Sequence, residues 1–156
     1  MASEARRIVT GHDANGRARV QIDEPMRLEL GPPGGRRVVW TTEGFPVDNT
    51  GSDDTSERET GLTLPNGTVF RIVQFDPGNA PRRHRTSSVD YAVVISGEID
   101  MELDDEVVHL RAGDVLVQRG TVHNWLNRGP EPCRIAFVLI DADPVAVGGK
   151  VLQAEG

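Results

Sequence analysis

The sequence predicts an all-β fold, a small barrel or sandwich, on three observations. Its 17 glycines and 10 prolines are spread along all 156 residues, so turn-forming positions recur throughout. The apolar runs between those turns are short, of strand length. No stretch sustains the 3.6-residue apolar period of an amphipathic helix.

Taken in order, residues 6–10 and 17–22 flank the polar loop Gly11 to Gly16, whose Asn15-Gly16 pair is a turn former. This predicts an N-terminal hairpin, with His12 solvated in its loop. Gly31-Pro32-Pro33-Gly34-Gly35 reads as neither helix nor central strand. Residues 37–42 then read as a strand. Residues 43–61 carry Pro46, Asp48, Asn49, Gly51, Asp53 and Asp54 with few apolar side chains. They predict a long surface loop, either a lid over a pocket or a solvated loop without a role. Residues 68–75 form a clear strand pattern, closed by Asp76-Pro77-Gly78. Residues 89–95 follow, then a turn at Ser96-Gly97. Residues 98–103 and 107–110 read as a hairpin about Asp104-Asp105, an acidic tip that discourages edge pairing. Residues 115–117 and 122–126 come next. Residues 134–141 are apolar at nearly every position, which predicts burial on both faces. The tail from Asp143 to Gly156 holds Pro144, Gly148 and Gly149 and is expected to lie against the surface or a partner subunit. There is no repeat and no linker. One domain spans 1–156, with a barrel core at about 62–141, a strand extension at 1–61 and a tail at 142–156.

A chain of this length buries roughly 70% of the surface its unfolded form exposes, so no covalent staple is required. The single cysteine, Cys133, excludes an intramolecular disulfide and a cysteine zinc site, and its apolar neighbours mark it as a core residue. A net charge of −7 speaks against a nucleic-acid partner. The Met1–Arg7 start has no apolar leader core and no run reaches membrane-span length, so a cytoplasmic location away from membranes is expected.

Chemistry concentrates in residues 78–127. Strand alternation puts His84, Thr86, Ser88 and Asp90 on one face, continuing into Ala92 and Val94, which describes a pocket wall merging into core. His123 and Trp125 share a face in a second segment. Imidazole nitrogens with a carboxylate oxygen are the ligand set of a divalent iron, manganese, nickel or zinc ion. Arg82, Arg83 and Arg85 surround His84 and would attract a carboxylate or enolate. Arg71 sits mid-strand and needs a partner if it points inward. Trp125 either packs in the core or stacks on a planar substrate. Tyr91 has the opposite parity to Asp90 and is expected outside the pocket, and His109 on the exposed side of its hairpin.

These residues resemble the cupin superfamily, whose motifs read G-x5-H-x-H-x3-E-x6-G and P-x-G-x2-H-x3-N. Here the first reads Gly78-x5-His84-x-Thr86-x3-Asp90-x6-Gly97, and the second Gln118-x-Gly120-x2-His123-x3-Asn127 after Gly113. The resemblance implies a jelly-roll β-barrel with its site in the barrel mouth, commonly dimeric. His84 and His123 carry over as site residues. The family's glutamate is Asp90, which reaches roughly 1.5 Å less far. Its second histidine is Thr86, a poor ligand, and its proline is Gln118. A closer resemblance, through His84-Arg85-Thr86 with Val89-Asp90-Tyr91 and Val117-Gln118-Arg119-Gly120-Thr121 with His123-x-Trp125-x-Asn127, is to a branch of small single-domain cupins of bacterial catabolic and polyketide contexts, some treated as decarboxylases or dehydratases.

Two readings of the site stay open: a metal held by His84, Asp90 and His123, or no metal, with the same three as acid/base groups. Either way the expected function is a small-molecule enzyme of lyase type, dehydrating or decarboxylating a carbonyl compound. His84, Asp90 and His123 would be catalytic, and Thr86, Arg71, Arg82 and Trp125 would contact the substrate. The alternatives are a non-haem Fe(II) dioxygenase and a binding module without turnover. An N-terminal hairpin that completes a neighbour's sheet would make the protein a homodimer.

Overall fold

The computed structural model describes residues 5–156, so the leader-free start expected at Met1–Arg7 lies partly outside the described residues. The strands are β1 (Ala5–His12), β2 (Ala18–Met26), β3 (Glu29–Gly31), β4 (Gly34–Glu43), β5 (Gly67–Phe75), β6 (Ser88–Ser96), β7 (Glu98–Glu102), β8 (Val107–Arg111), β9 (Val115–Arg119), β10 (Asn124–Leu126), β11 (Cys133–Asp141), β12 (Val145–Val147) and β13 (Lys150–Leu152). The one helical feature among the described residues is a single 3-10 turn at Thr55–Glu57. No helix there is long and apolar enough to cross a membrane.

An antiparallel six-stranded sheet runs β3-β4-β5-β11-β6-β9, and a three-stranded sheet runs β10-β7-β8. Alternation explains how they close on each other. On β6 Ser88, Asp90, Ala92 and Val94 turn inward while Tyr91, Val93 and Ile95 face out. Ile99 and Met101 of β7, Leu110 of β8 and Trp125 of β10 meet Phe75, Ile135, Phe137 and Leu139 of β5 and β11 in one apolar cluster. Ile99 and Ile135 are fully buried, each contributing about 1.5–3 kcal/mol relative to an exposed side chain. β11 lies between β5 and β6, with Cys133, Ile135, Phe137 and Leu139 in the core and Ala136, Val138 and Ile140 half-buried on the other face. The apolar run predicts burial on both faces; the inner face is buried and the outer face only half-buried.

Gly97 and Gly120 are among the glycines that geometry requires. Gly97, at the β6–β7 turn, has φ 77°, and a Cβ there would stand 2.4 Å from the Pro132 carbonyl oxygen. Gly120, before β10, has φ 66° and would drive a Cβ to 2.9 Å from Val145.

The N-terminal hairpin forms as expected, as a separate two-stranded sheet with a bulge between Val9 and Thr10. His12 is its last β1 residue rather than a loop residue, and is exposed. One further expectation is corrected. Gly34 and Gly35 do enter an interior strand: they open β4 and pair with β3 on one side and β5 on the other. The Pro32-Pro33 pair supplies the turn, leaving both glycines free to extend. In the tail, Gly148-Gly149, both at positive φ, join β12 and β13 in a hairpin. Glu155 then bridges to Arg85 through reciprocal backbone hydrogen bonds.

The 43–61 loop is pinned rather than poised as a lid. Asp54 receives two hydrogen bonds from Arg7, Thr55 and Thr41 bond reciprocally, and Gln21 donates to the Ser52 carbonyl. None of its residues lines the cavity described below. Arg7 is buried and also binds Glu24 through two nitrogens, so one guanidinium ties the hairpin to the loop.

Candidate active site

A cavity of about 380 Å³ opens at one end of the barrel. Every residue expected at the site lines it: His84, Thr86, Asp90, His123, Arg71, Arg82 and Trp125. Its walls are otherwise mostly apolar, from Leu62, Val73, Phe75, Phe137 and Leu139. Such a mixture, an apolar body with a few convergent polar groups, is the usual make-up of a small-molecule site.

The two histidine segments are joined by backbone. His84 N–H donates to the His123 carbonyl at 3.0 Å, and His123 N–H returns the bond at 2.9 Å. This antiparallel bridge sets the imidazoles side by side, centroids 4.4 Å apart and inclined by 57°. Asn127, the last residue of the second motif, locks the segment from behind. Its side chain donates to the Phe75 and Glu131 carbonyls, and its backbone exchanges bonds with Asn79 and Gly78. Asn127 is therefore a structural latch.

His84 Nδ1 lies 3.0 Å from the Arg82 carbonyl oxygen and His123 Nδ1 lies 2.9 Å from that of Thr121. A carbonyl only accepts, so each ring carries its proton on Nδ1 and leaves Nε2 as a free lone pair. Both rings are neutral at physiological pH. Burial pushes His123 down to about 4, helped by the charges of His84 and Arg82. Burial also lowers His84, again with Arg82 contributing. The pair is built as two bases.

The polar residues beyond His84 follow from alternation along the first segment. Thr86 Oγ1 and Ser88 Oγ are 2.8 Å apart, and Ser88 donates to Asp90 Oδ1 at 2.5 Å. Burial raises the Asp90 carboxyl to about 6, the serine bond offsetting part of the rise. Asp90 thus exchanges its proton close to neutral pH.

Arg71 of β5 points inward and is only 8% exposed. Its Nε has no hydrogen-bond partner, and no ion pair neutralises it among the described residues. Burial lowers its pKa, and the charges that act on it are positive, those of Arg36 and Arg82. Arg82 reaches the Gly156 carbonyl at 3.2 Å. The other arginines near His84 serve elsewhere: Arg83 pairs with Asp104, and Arg85 binds the Gly120 carbonyl. Tyr91 is exposed, and His109 pairs with Asp100 on the outside, both as expected.

Sequence reasoning missed two residues here. Gln118 lies beside Asp90 in the β6–β9 register, donates to Met101 Sδ and keeps a buried Oε1 without a partner. Its inward parity with Leu116 on β9 was the available signal. Arg36 reaches the cavity because β4 starts at the Pro32-Pro33 turn beside the mouth, a placement no local pattern carries.

The donor set fits a metal ion incompletely. Two imidazoles with free Nε2 atoms, each fixed by a backbone carbonyl, are ligand-ready. No group of three His, Cys, Asp or Glu side chains that could hold a metal occurs among the described residues. The set of His84, Asp90 and His123 does not assemble there as three ligands.

A family model described as Cupin domain matches residues 71–140, a span that contains Arg71, His84, Asp90, Gln118 and His123. The chain is 40% identical over 157 residues to Phomopsin biosynthesis cluster protein C' of Diaporthe leptostromiformis, covering 94% of this chain and 83% of that protein. It is 36% identical to the Cupin-domain-containing oxidoreductase fogC of Aspergillus ruber, covering 94% and 77%. The solved Cupin 2 conserved barrel domain protein of Salinispora arenicola matches with a TM-score of 0.50 at 17% identity, over 74% of this chain and 82% of that one, a likeness of fold alone. By its motifs, its barrel and these relatives, the chain belongs to the cupin-domain proteins.

Proposed function

We propose that the protein is a small-molecule enzyme of lyase type that dehydrates a β-hydroxy carbonyl compound in the barrel mouth. The observation that carries this reading is the pairing of bare, neutral imidazole nitrogens with a carboxyl that titrates near 6 in one cavity. General acid–base catalysis works best with groups whose pKa lies near the working pH and whose protonation states differ. The imidazole of His84, less depressed than that of His123, removes the proton α to the carbonyl. The developing oxyanion is offset by the Arg71 guanidinium. The protonated Asp90 gives its proton to the β-hydroxyl, which leaves as water as the double bond forms. The Gln118 Oε1 accepts from the same hydroxyl before it departs. The proton taken by histidine and the one given by Asp90 balance, so the step needs no oxidant.

The test is incubation with 4-hydroxy-2-oxo-4-phenylbutanoate and with 4-hydroxy-4-phenylbutan-2-one, following the conjugated enone by absorbance. His84→Ala is expected to lower turnover by about 10²–10⁴-fold, the range typical of an acid–base group, and His123→Ala by less. Absence of dehydration by the unaltered protein, or turnover unchanged in both variants, removes the reading.

A second reading has its own support, since several relatives are named oxidoreductases. It would use the two free Nε2 atoms as ligands of iron or another divalent metal, completed by substrate or water. Oxygen uptake that depends on added Fe(II) and ends in chelator would favour it. We propose as well that the chain is a homodimer. Support comes from the separate β1–β2 hairpin, whose exposed Ile8 and Val20 await a covering surface. A monomer mass by light scattering would remove that claim.

A further inference from the structure

We infer that the ligand of this cavity is a carboxylate with a planar apolar body, its anionic head held by Arg71 under the positive field of Arg36 and Arg82. The inference rests on reading the cavity as the substrate site, and adds what that site selects.

Arg71 is the point of departure. A buried guanidinium normally brings its counter-ion with it, because an isolated buried charge costs several kcal/mol. Arg71 is more than nine-tenths buried and lines the cavity, yet its Nε is unpartnered. Asp90 shares the cavity but is not among the charges that act on Arg71, and it is bound instead by Ser88. Two more cations line the same space, and neither neutralises it. Each like charge raises the cost of keeping Arg71 ionised, so the arrangement is unfavourable until an anion enters. A planar carboxylate satisfies a guanidinium through two parallel hydrogen bonds, which a neutral amide cannot match. Beyond the head, Trp125, Phe137 and Leu139 offer an apolar slot, with Trp125 and Phe137 edge to face at 5.7 Å. A flat hydrocarbon body suits those walls.

The probes are cinnamate and its neutral isostere cinnamamide, titrated by calorimetry into the whole protein. Cinnamate is expected to bind at least ten-fold more tightly than cinnamamide, the difference a charge-assisted bond makes. Arg71→Met should weaken cinnamate ten- to hundred-fold and leave cinnamamide unchanged. Arg71→Lys should retain part of the preference. A thermal melt of ligand-free Arg71→Met serves as the folding control and should show a midpoint at or above that of the unaltered protein. No cinnamate binding, equal binding of the two probes, or undiminished binding in Arg71→Met overturns the inference. These outcomes separate from those of the proposed function. An Arg71-dependent preference without dehydration keeps the anion site and removes the lyase reading. Histidine-dependent dehydration with no carboxylate preference does the reverse.

Discussion

Two of the arginines buried in strands among the described residues, Arg7 and Arg71, are opposites. Arg7, with a side chain 3% exposed, meets Glu24 at 2.7 Å and Asp54 at 2.6 Å, with a Val39 carbonyl as a further acceptor. Arg71 is nearly as buried and has neither acid nor carbonyl at its Nε. The first arginine is a rivet between the N-terminal hairpin and the 43–61 loop. The second is a charge kept without its partner. The difference teaches where function sits in this fold: a buried ion that is fully compensated does structural work, while an uncompensated one facing a cavity is held in place by the rest of the barrel for a ligand.

The largest expected effect breaks the compensated side. Arg7→Met leaves the Asp54 and Glu24 carboxylates without their cation and should cost about 3 kcal/mol in urea unfolding, less than a fully buried pair because both acids keep some water. The loss has a pH signature. Arg7 holds the Asp54 pKa well below the ordinary carboxylate value. A lowered folded-state pKa gives stability that is complete above about pH 4 and is lost as the acid is protonated below that. The gap between Arg7→Met and the unaltered protein should therefore narrow in acid. A gap that widens there would contradict the rivet.

The next effect concerns Asp90, which adjusts to burial by holding its proton. Its folded-state pKa of about 6 lies above the ordinary carboxylate value. The stability it lends is complete below about pH 4 and is lost as pH rises through 6. Asp90→Asn keeps an acceptor for Ser88 and cannot ionise. Relative to the unaltered protein it should gain about 2–3 kcal/mol between pH 4 and pH 8. His123 works with the opposite sign, its contribution complete above about pH 6.5 and lost as pH falls through about 4. His123→Asn should thus flatten the acid side of the same profile. The smallest effect is that of Arg71→Met on the ligand-free fold, a gain of about 1 kcal/mol from removing an unpaired buried charge. A loss of several kcal/mol would place Arg71 with Arg7 as a structural ion and erase the comparison.

The two histidines were legible because motif spacing survives in sequence. Gly78-x5-His84 and Gly120-x2-His123 fix where each ring leaves the backbone, and one antiparallel bridge does the rest. Thr86, Ser88 and Asp90 were legible by parity, since a strand turns alternate side chains to one face. Arg71 was visible as a charge in a strand, but its lack of a partner was not, because what surrounds it arrives from β4, β11 and the segment before His84. Arg36 and the pinned 43–61 loop depend wholly on long-range contacts such as Arg7 to Asp54, which local pattern does not encode. The β12–β13 hairpin is different. Val145-Ala146-Val147-Gly148-Gly149-Lys150-Val151-Leu152 carries a two-residue turn signal between apolar runs, so that strand pair was readable. Gln118 was read as a missing proline when its inward parity marked it as a side chain of the cavity.

The most direct test of the central claim, a pair of neutral bases beside an acid, is a nitrogen-15 NMR titration of the four histidines across pH 5 to 8. The account predicts that His84 and His123 carry their proton on Nδ1, with a bare Nε2 at pH 7, and that His123 stays neutral down to about pH 5. His109, on its exposed Asp100 pair, should titrate above the ordinary histidine value in the same spectra and serve as the internal contrast. Imidazolium signals from His84 and His123 at pH 7, or a proton on Nε2 of either, would contradict the account.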